Sequence, residues 1–347
     1  MTSSSYIQTV LGPISPAEAG VTMPHEHLLS DVTCLYVEPT TASDRFMSRQ
    51  PITIDNLWWL RYHYNNHLDN LRLDDERVAI EEALLYGQLG GQTIVDATTI
   101  GESPDPLGLA RISRATGLNI VAATGYYVAP SHPPNVNDMT VEEITRKLVS
   151  DITTGIDGTG IRAGIMGELG CSWPLDPNER KVLTAAAIAQ QETNVAISIH
   201  PGRNEEAPKE IIDILLEAGA SPEKIIMGHI ERTIFEMDDL ERIASYGCYI
   251  EWDLFGQELS YYSLAPHISR PTDAQRLDQI AALTKKGYTN KILVSHDIGG
   301  KTLLVKYGGH GYGHILRVIV PWMYQRGFTE KTVRAILIDN PTTVLAI

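Results

Sequence analysis

The stretch VAISIHPGRNEEAPKEIIDILLEAGASPEKIIMGH (Val195–His229) contains one complete strand–helix–strand unit. Its two ends are short, β-branched apolar runs, which is typical of strands buried on both faces. Between them, Ala207–Ala218 has apolar residues at helical spacing. Such a unit connects two parallel strands, so this stretch predicts a parallel sheet covered by helices.

The same unit recurs along the chain. The predicted strands are Thr22–Leu29, Thr93–Ala97, Asn119–Thr124, Ala163–Glu168, Val195–His200, Ile225–His229, Cys248–Trp252 and Ile292–Ser295, with amphipathic segments between them and two more, near residues 313–325 and 329–338, at the end. Eight units in 347 residues favour a closed (β/α)₈ TIM barrel of the α/β class over an open doubly wound sheet. We expect residues 1–347 to form a single domain. No Gly-rich phosphate-binding motif opens a helix, which argues against a nucleotide-binding fold.

One long insertion separates the first strand from the first predicted helix, at about residues 30–73. A connection of this length is either functional or disordered, and its aromatic segment LWWLRYHYNNH (Leu57–His67) argues against disorder. Two interpretations remain open: a lid over the barrel mouth, or a subunit contact. This insertion, together with the family resemblance described below, predicts a homodimer.

Charge and cysteine content restrict the partners and the compartment. The formal net charge of −15 argues against nucleic acid and against an anionic membrane surface. The N-terminal residues lack the features of a signal peptide, and no apolar run approaches the ~20 residues of a membrane span. The three cysteines, far apart in the sequence, are expected to be reduced thiols. We therefore expect a cytoplasmic protein that acts on a small molecule.

Metal-competent side chains stand at five of the eight predicted strands. His25 and His27 lie two residues apart in the first strand and therefore face the same side. Four further strands end in, or are followed by, such a residue: Glu168, His200, His229 and Asp297. Each of these alone is more often structural than functional. Together they converge where active sites of TIM barrels form, at the C-terminal ends of the strands.

Six protein ligands are more than one ion needs. A single catalytic zinc uses about three protein ligands and a water, whereas six suit two ions about 3.5–4 Å apart. We expect His25, His27 and Asp297 to hold one ion, His200 and His229 to hold the other, and the carboxylate of Glu168 to bridge them. Imidazole and carboxylate ligands without thiolate favour Zn²⁺, with Mn²⁺, Co²⁺ or Fe²⁺ also compatible.

Two such ions predict a hydrolase. They lower the pKa of water to about 7 and so provide a bridging hydroxide at neutral pH. Asp297 is the expected proton acceptor, and later the donor to the leaving group. No GxSxG motif is present, so a covalent serine nucleophile is not expected.

These residues, in this order, resemble the phosphotriesterase family of the amidohydrolase superfamily. The resemblance rests on TVLGPISPAEAGVTMPHEHL (Thr9–Leu28), which is similar to that family's first-strand signature, and covers nearly the whole chain. Glu231-Arg232-Thr233, YIEWDLFGQE (Tyr249–Glu258), KYGGHGYGHIL (Lys306–Leu316) and the LWWLRYH stretch resemble the phosphotriesterase-related branch. The resemblance implies a binuclear site with the ligands assigned above.

Two departures redirect the expected substrate. Organophosphate-cleaving members bridge their metals with a carboxylated lysine, where this chain has Glu168 as in the phosphotriesterase-related branch. They also place a histidine after the seventh strand, where this chain has Asp253-Leu254. Animal members of the branch are associated with the hydrolysis of N-acetyltaurine. The resemblance therefore implies a carbonyl substrate, most simply an N-acyl amide such as an N-acyl amino acid or N-acyltaurine.

Three residues are candidates for substrate contact. Tyr127 follows the third strand, Arg203 follows the ligand His200 and is suited to an acidic group, and His310 lies in a glycine-rich loop after the eighth strand. Two alternatives for the function stay open: a lactonase or carboxylesterase with at most weak phosphotriesterase activity, and a non-catalytic binding protein on the same fold.

Overall fold

A computed structural model describes residues 5–347 and contains the predicted barrel. Eight parallel strands form one sheet in the order β3 (Thr22–Glu26), β6 (Thr93–Asp96), β7 (Asn119–Thr124), β8 (Ile165–Gly170), β9 (Ile197–His200), β10 (Ile225–Met227), β11 (Tyr249–Trp252) and β12 (Ile292–Val294). Sequence order and spatial order coincide, which is the arrangement of a (β/α)₈ barrel.

The barrel closes between its first and last strands through a side chain. Ser295 Oγ donates to the carbonyl of His25 at 2.8 Å and accepts from the His25 amide at 3.1 Å. A further backbone bond runs from Asp297 N–H to the same carbonyl, at 3.2 Å. This closure brings the last strand beside the HxH pair of the first.

The other strands within residues 5–347 form two short antiparallel pairs, neither of which was predicted from the sequence. Near the N-terminus, β1 (Ile7–Thr9) pairs antiparallel with β2 (Gly12–Ile14). Within the long insertion, β4 (Ser30–Asp31) pairs antiparallel with β5 (Arg72–Leu73) and joins the two ends of that insertion.

Helices cover the outside of the sheet at nearly the predicted positions. They are α1 (Ala42–Met47) and α2 (Leu57–Leu60) in the insertion, then α3 (Glu76–Gln88), α4 (Pro106–Thr116), α5 (Val141–Thr153), α6 (Pro177–Thr193), α7 (Ala207–Glu217), α8 (Met237–Ser245), α9 (Asp273–Lys285), α10 (Val320–Gln325), α11 (Glu330–Arg334) and α12 (Asn340–Leu345). Two π-helical turns accompany the last three helices: Ile315–Ile319 directly precedes α10, and Ala335–Asp339 connects α11 to α12. None of the helices in residues 5–347 is long and apolar enough to cross a membrane.

Several predicted strands are too long at their C-terminal ends. The first ends at Glu26 rather than Leu29, and the sixth ends at Met227 rather than His229. The backbone of His229 has a positive φ of 50°, which no strand tolerates, so pairing stops before it. For the fourth strand the predicted end is too early, because the strand continues past Glu168 to Gly170.

The insertion forms part of the wall of the cavity over the barrel mouth. Leu60, Tyr64 and Asn65 line this cavity, which has a volume of about 640 Å³. These contacts match the lid interpretation. Other side chains of the insertion, including Phe46 and Trp58, are exposed, and the subunit contact stays a prediction.

Candidate metal centre

The structure brings together all six side chains that the sequence predicted as ligands. Glu168 Oε2 lies at the centre, 2.8 Å from His200 Nδ1, 3.0 Å from His229 Nε2 and 3.3 Å from His25 Nε2. His27 Nε2 lies 3.4 Å from both Glu168 Oε1 and Asp297 Oδ1. Oε2 of Glu168 therefore faces three of the histidines, and Oε1 faces the fourth, His27.

These atoms form two overlapping groups that are compact enough to hold an ion each: His25, His27, Glu168 and Asp297, and Glu168, His200 and His229. Glu168 is common to both groups, as expected of a bridging carboxylate. Two ligand atoms about 2.2 Å from one ion are at most about 4.4 Å apart, and the histidine-to-carboxylate distances within each group, from 2.8 Å (His200 Nδ1 to Glu168 Oε2) to 3.9 Å (His25 Nε2 to Asp297 Oδ1), satisfy this limit. In addition, His25 Nε2 is fully buried and has no hydrogen-bond partner within residues 5–347. The donor set therefore fits a divalent metal centre.

Local sequence explains how the backbone presents these groups. Gly167 precedes Glu168 with φ 109°, and a Cβ there would lie 2.1 Å from the carbonyl oxygen of Ser198. Only glycine fits that close approach to β9. His229 and Asp297 both have φ 50°, a left-handed conformation that costs non-glycine residues free energy and that clusters at functional sites.

Side chains outside the six-residue cluster fix the orientation of three of its four histidines. His25 Nδ1 bonds Glu251 Oε2 at 3.2 Å, His27 Nδ1 bonds Thr98 Oγ1 at 2.9 Å, and His229 Nδ1 donates to Asp253 Oδ1 at 2.7 Å. Each of these bonds leaves Nε2 directed at the centre, as in carboxylate–histidine–metal arrangements. His200 is reversed, with Nδ1 towards Glu168 and Nε2 accepting from Arg232 at 3.0 Å.

The ionisable groups of the cluster shift one another's pKa values. Burial alone would raise the pKa of Glu168, but His200 and His25 hold that pKa well below its usual value. Burial lowers the pKa of His200 well below its usual range. For His229, burial is outweighed by the carboxylate of Asp253, which raises the pKa to about 9. These shifts favour an ionised Glu168 and a neutral His200.

Asp297 is the ligand most open to the cavity, with 23% of its side chain exposed against 0–6% for the other five. Burial would raise its pKa, but His229 and His27 hold that pKa well below its usual value. Asp297 is therefore a carboxylate that belongs to the candidate cluster and also reaches the cavity.

The three predicted substrate residues all lie in the cavity wall. Tyr127 packs edge-on against His200, with ring centroids 5.1 Å apart, and burial raises its pKa well above the usual value. Arg203 Nε donates to the hydroxyl of Tyr262 at 2.6 Å. His310 bonds the carbonyl of Gly311 through Nδ1 at 3.2 Å, and its buried Nε2 has no partner in the described chain.

Sequence reasoning missed several residues of the site. Asp253 follows the seventh strand and holds His229, so the rule applied to the other strand ends would have identified it. Arg232, Tyr262 and Glu102 also line the cavity. Arg232 is three residues after His229, a signal comparable to that of Arg203, whereas Tyr262 comes from a loop whose path the sequence does not reveal.

Known proteins share both the sequence and the fold. Residues 5–345 match the model of the phosphotriesterase family. An N-acetyltaurine hydrolase of Homo sapiens is 45% identical over 339 residues, which cover 97% of each chain. Among solved structures, a resiniferatoxin-binding protein from Rhodobacter sphaeroides superposes with a TM-score of 0.95 at 31% identity, covering 98% of this chain and 94% of the other. A lactonase from Listeria monocytogenes superposes with a TM-score of 0.79 at 25% identity, covering 98% and 99%.

Proposed function

We propose, because this chain belongs to the phosphotriesterase family, that it is a binuclear metal-dependent hydrolase of small N-acyl amides, of the N-acyl amino acid or N-acyltaurine type. The observation that carries the proposal is the six-residue cluster around Glu168, open to a cavity through Asp297. The amide specificity is supported by the N-acetyltaurine hydrolases, which match almost the full length of the chain.

In this proposal His25, His27 and Asp297 would hold one ion, His200 and His229 would hold the other, and Glu168 would contribute to both. The ligand set favours Zn²⁺, with Mn²⁺, Co²⁺ or Fe²⁺ compatible. When bound, divalent ions at such a site supply Lewis acidity, which acidifies water and polarises a carbonyl oxygen. The cavity volume of about 640 Å³ suits a small molecule.

Asp297 is proposed as the group that moves the proton. Its carboxylate reaches both the ligand cluster, 3.4 Å from His27 Nε2, and the cavity. It accepts a proton from the attacking water and delivers it to the nitrogen of the leaving amine. Amide cleavage depends on this second transfer because an unprotonated amine anion is a very poor leaving group.

Two arginines support an anionic substrate. Within residues 5–347, neither Arg203 nor Arg232 has a carboxylate oxygen within 4.0 Å, although the chain has 43 acidic residues. Arg232 is buried and Arg203 is half-buried. A cation removed from water without a counter-charge is costly, so a bound anion would stabilise both guanidinium groups, Arg232 the more. A carboxylate or sulfonate on the amine side of the amide supplies that anion, and Arg203 is its proposed main contact.

His310 and Tyr127 are proposed to contact the rest of the substrate. Burial, with His296 and His314 nearby, lowers the pKa of His310 to about 3, so the ring is neutral. Because its Nδ1 faces the Gly311 carbonyl, Nε2 is left as an acceptor for the amide N–H. Tyr127 provides an apolar face with a protonated hydroxyl beside His200.

A second candidate activity is lactone or carboxylic ester hydrolysis. It is favoured by the structural likeness to the Listeria lactonase. The same residues would serve the attack of water on an ester carbonyl, and alkoxide leaving groups need less protonation than amines do.

A substrate panel tests the proposal. The ratio kcat/KM is measured for N-acetyltaurine, N-acetylglycine, an uncharged lactone and an aryl phosphotriester, before and after removal of metal by a chelator. We expect the anionic amides to rank first and activity to vanish on chelation and return with Zn²⁺. Faster lactone turnover selects the second candidate. Activity that survives chelation refutes the metal mechanism. The chain is instead a binding protein if it takes up no metal, cleaves none of these compounds, and binds the amides equally well with Asp297→Asn.

A further inference from the structure

Glu102 is a fully buried carboxyl group in the wall of the cavity. It follows β6 in the sequence TTIGESPDP (Thr98–Pro106). Its Oε2 accepts from the amide of Thr99 at 2.9 Å and from the hydroxyl of Thr99 at 3.1 Å. These two bonds hold the side chain in one orientation.

The other oxygen, Oε1, is buried and has no hydrogen-bond partner among the described residues. An unpaired buried acceptor costs about 1–3 kcal/mol. His25 Nε2, a proposed metal ligand, is buried and unpaired in the same way. A ligand that brings a hydrogen-bond donor to Glu102 would satisfy this acceptor.

Barrel geometry indicates which part of a substrate meets Glu102. The strands follow one another in sequence order, so β6 and β10 are four positions apart in a ring of eight and lie on opposite sides of the mouth. Glu102 follows β6, whereas Arg232 follows β10. The proposed metal ligands meet at the same mouth around Glu168, which belongs to β8, between β6 and β10 in the strand order.

A substrate held by its anion at Arg203 and Arg232, with its carbonyl at the ligand cluster, therefore extends its acyl group towards Glu102. Building on the proposed function, we infer that Glu102 is a specificity residue and that the acyl group of the preferred substrate carries a hydrogen-bond donor, a hydroxyl or an ammonium group. A plain alkyl acyl group would leave Oε1 unpaired.

Three taurine amides of nearly equal size test this inference: N-glycoloyltaurine with a hydroxyl, N-glycyltaurine with an ammonium group, and N-propanoyltaurine with a methyl group. For the unaltered holoenzyme we expect kcat/KM for at least one donor-bearing amide to exceed that for the propanoyl amide by about 5–150-fold, the range that one unpaired buried acceptor represents. Glu102→Leu should reduce that ratio to about one, whereas Ser103→Ala, on the exposed neighbouring residue, should retain it. Glu102→Gln, whose side chain is nearly isosteric, should retain a preference for the amide with the hydroxyl and lose any preference for the amide with the ammonium group. This variant provides a test if Glu102→Leu does not fold.

A ratio near one in the unaltered protein, or a ratio that Glu102→Leu leaves unchanged, overturns the inference. Failure of the proposed function is separable, because the affinities of the same three amides can be measured by calorimetry with the Asp297→Asn variant. If no amide is cleaved but the donor-bearing amides bind more tightly in a manner that depends on Glu102, the inference stands without the proposed reaction.

Discussion

Asp253 accepts two hydrogen bonds from His229, one from ring Nδ1 and one from the backbone amide, each 2.7 Å long. One carboxylate therefore fixes both the left-handed backbone of His229 and the direction of its ring. Outer partners of this kind typically contribute 10–100-fold to metal affinity.

Asp253→Asn should weaken metal binding by about 10–100-fold, because an amide presents only one oxygen acceptor where the carboxylate uses two. Competition with a chromophoric chelator measures the change. Asp278→Asn, on an exposed carboxylate, is the control and should leave the affinity unchanged. Equal affinities for both variants would show that the ring of His229 is held by other contacts.

Glu168→Ala should reduce the metal content below two ions per chain, because within residues 5–347 Glu168 is the one side chain shared by the two candidate groups, one with His25, His27 and Asp297 and one with His200 and His229. Elemental analysis of the purified protein gives the stoichiometry, with Glu142→Ala at an exposed position as control. Two ions per chain in Glu168→Ala would mean that another group bridges them.

Asp297→Asn should lower kcat by about 10²–10⁴-fold, the usual contribution of a positioned acid–base group. Asparagine can still offer an oxygen to a metal but cannot accept and return a proton. Metal content is measured on the same samples, so that loss of an ion is not mistaken for loss of proton transfer. Near-normal kcat with full metal content would assign the proton transfer to a different residue.

Tyr262 should ionise at a lower pH than a free tyrosine does. Burial would raise the pKa of its phenol, but Arg203 and Arg232 lower that pKa below its usual value. A depressed acid pKa stabilises the fold above the unfolded pKa of about 10, and this contribution is lost as the pH falls through the folded value. Absorbance at alkaline pH should show an early phenolate step that Tyr262→Phe removes and Arg203→Ala moves to higher pH. A titration unchanged by Tyr262→Phe would contradict this electrostatic assignment.

Arg276 is buried between two carboxylates, with Nε 3.2 Å from Glu231 Oε1 and Nη1 2.6 Å from Asp273 Oδ1. Arg276→Ala should lower the free energy of unfolding by about 3–5 kcal/mol, because two buried carboxylates lose their shared counter-charge. Urea denaturation measures the change. Arg146→Ala, which removes an exposed pair, should change it by less than about 0.5 kcal/mol. A comparable small change for Arg276→Ala would show that the carboxylates are neutralised in another way.

The alternation of strands and helices, and hence the barrel, could be predicted from the sequence, because buried parallel strands and amphipathic helices differ in the period of their apolar residues. The cluster of six candidate ligands was predictable for a related reason. All parallel strands of a barrel end at the same face. The proximity of His200, His229 and Asp297 could therefore be predicted without knowing the paths of the loops.

The tertiary structure alone decided what surrounds those ligands. That Asp253 holds His229, that Arg203 and Tyr262 meet in the cavity, and that Oε1 of Glu102 lacks a partner all depend on how loops of irregular conformation fold over the mouth. Loop paths have no periodic signal in the sequence, and their contacts join residues far apart in the chain. The sequence by itself thus determined the fold and the metal-competent cluster, whereas the loops, fixed only by tertiary packing, set the shape and charge of the space in which a substrate binds.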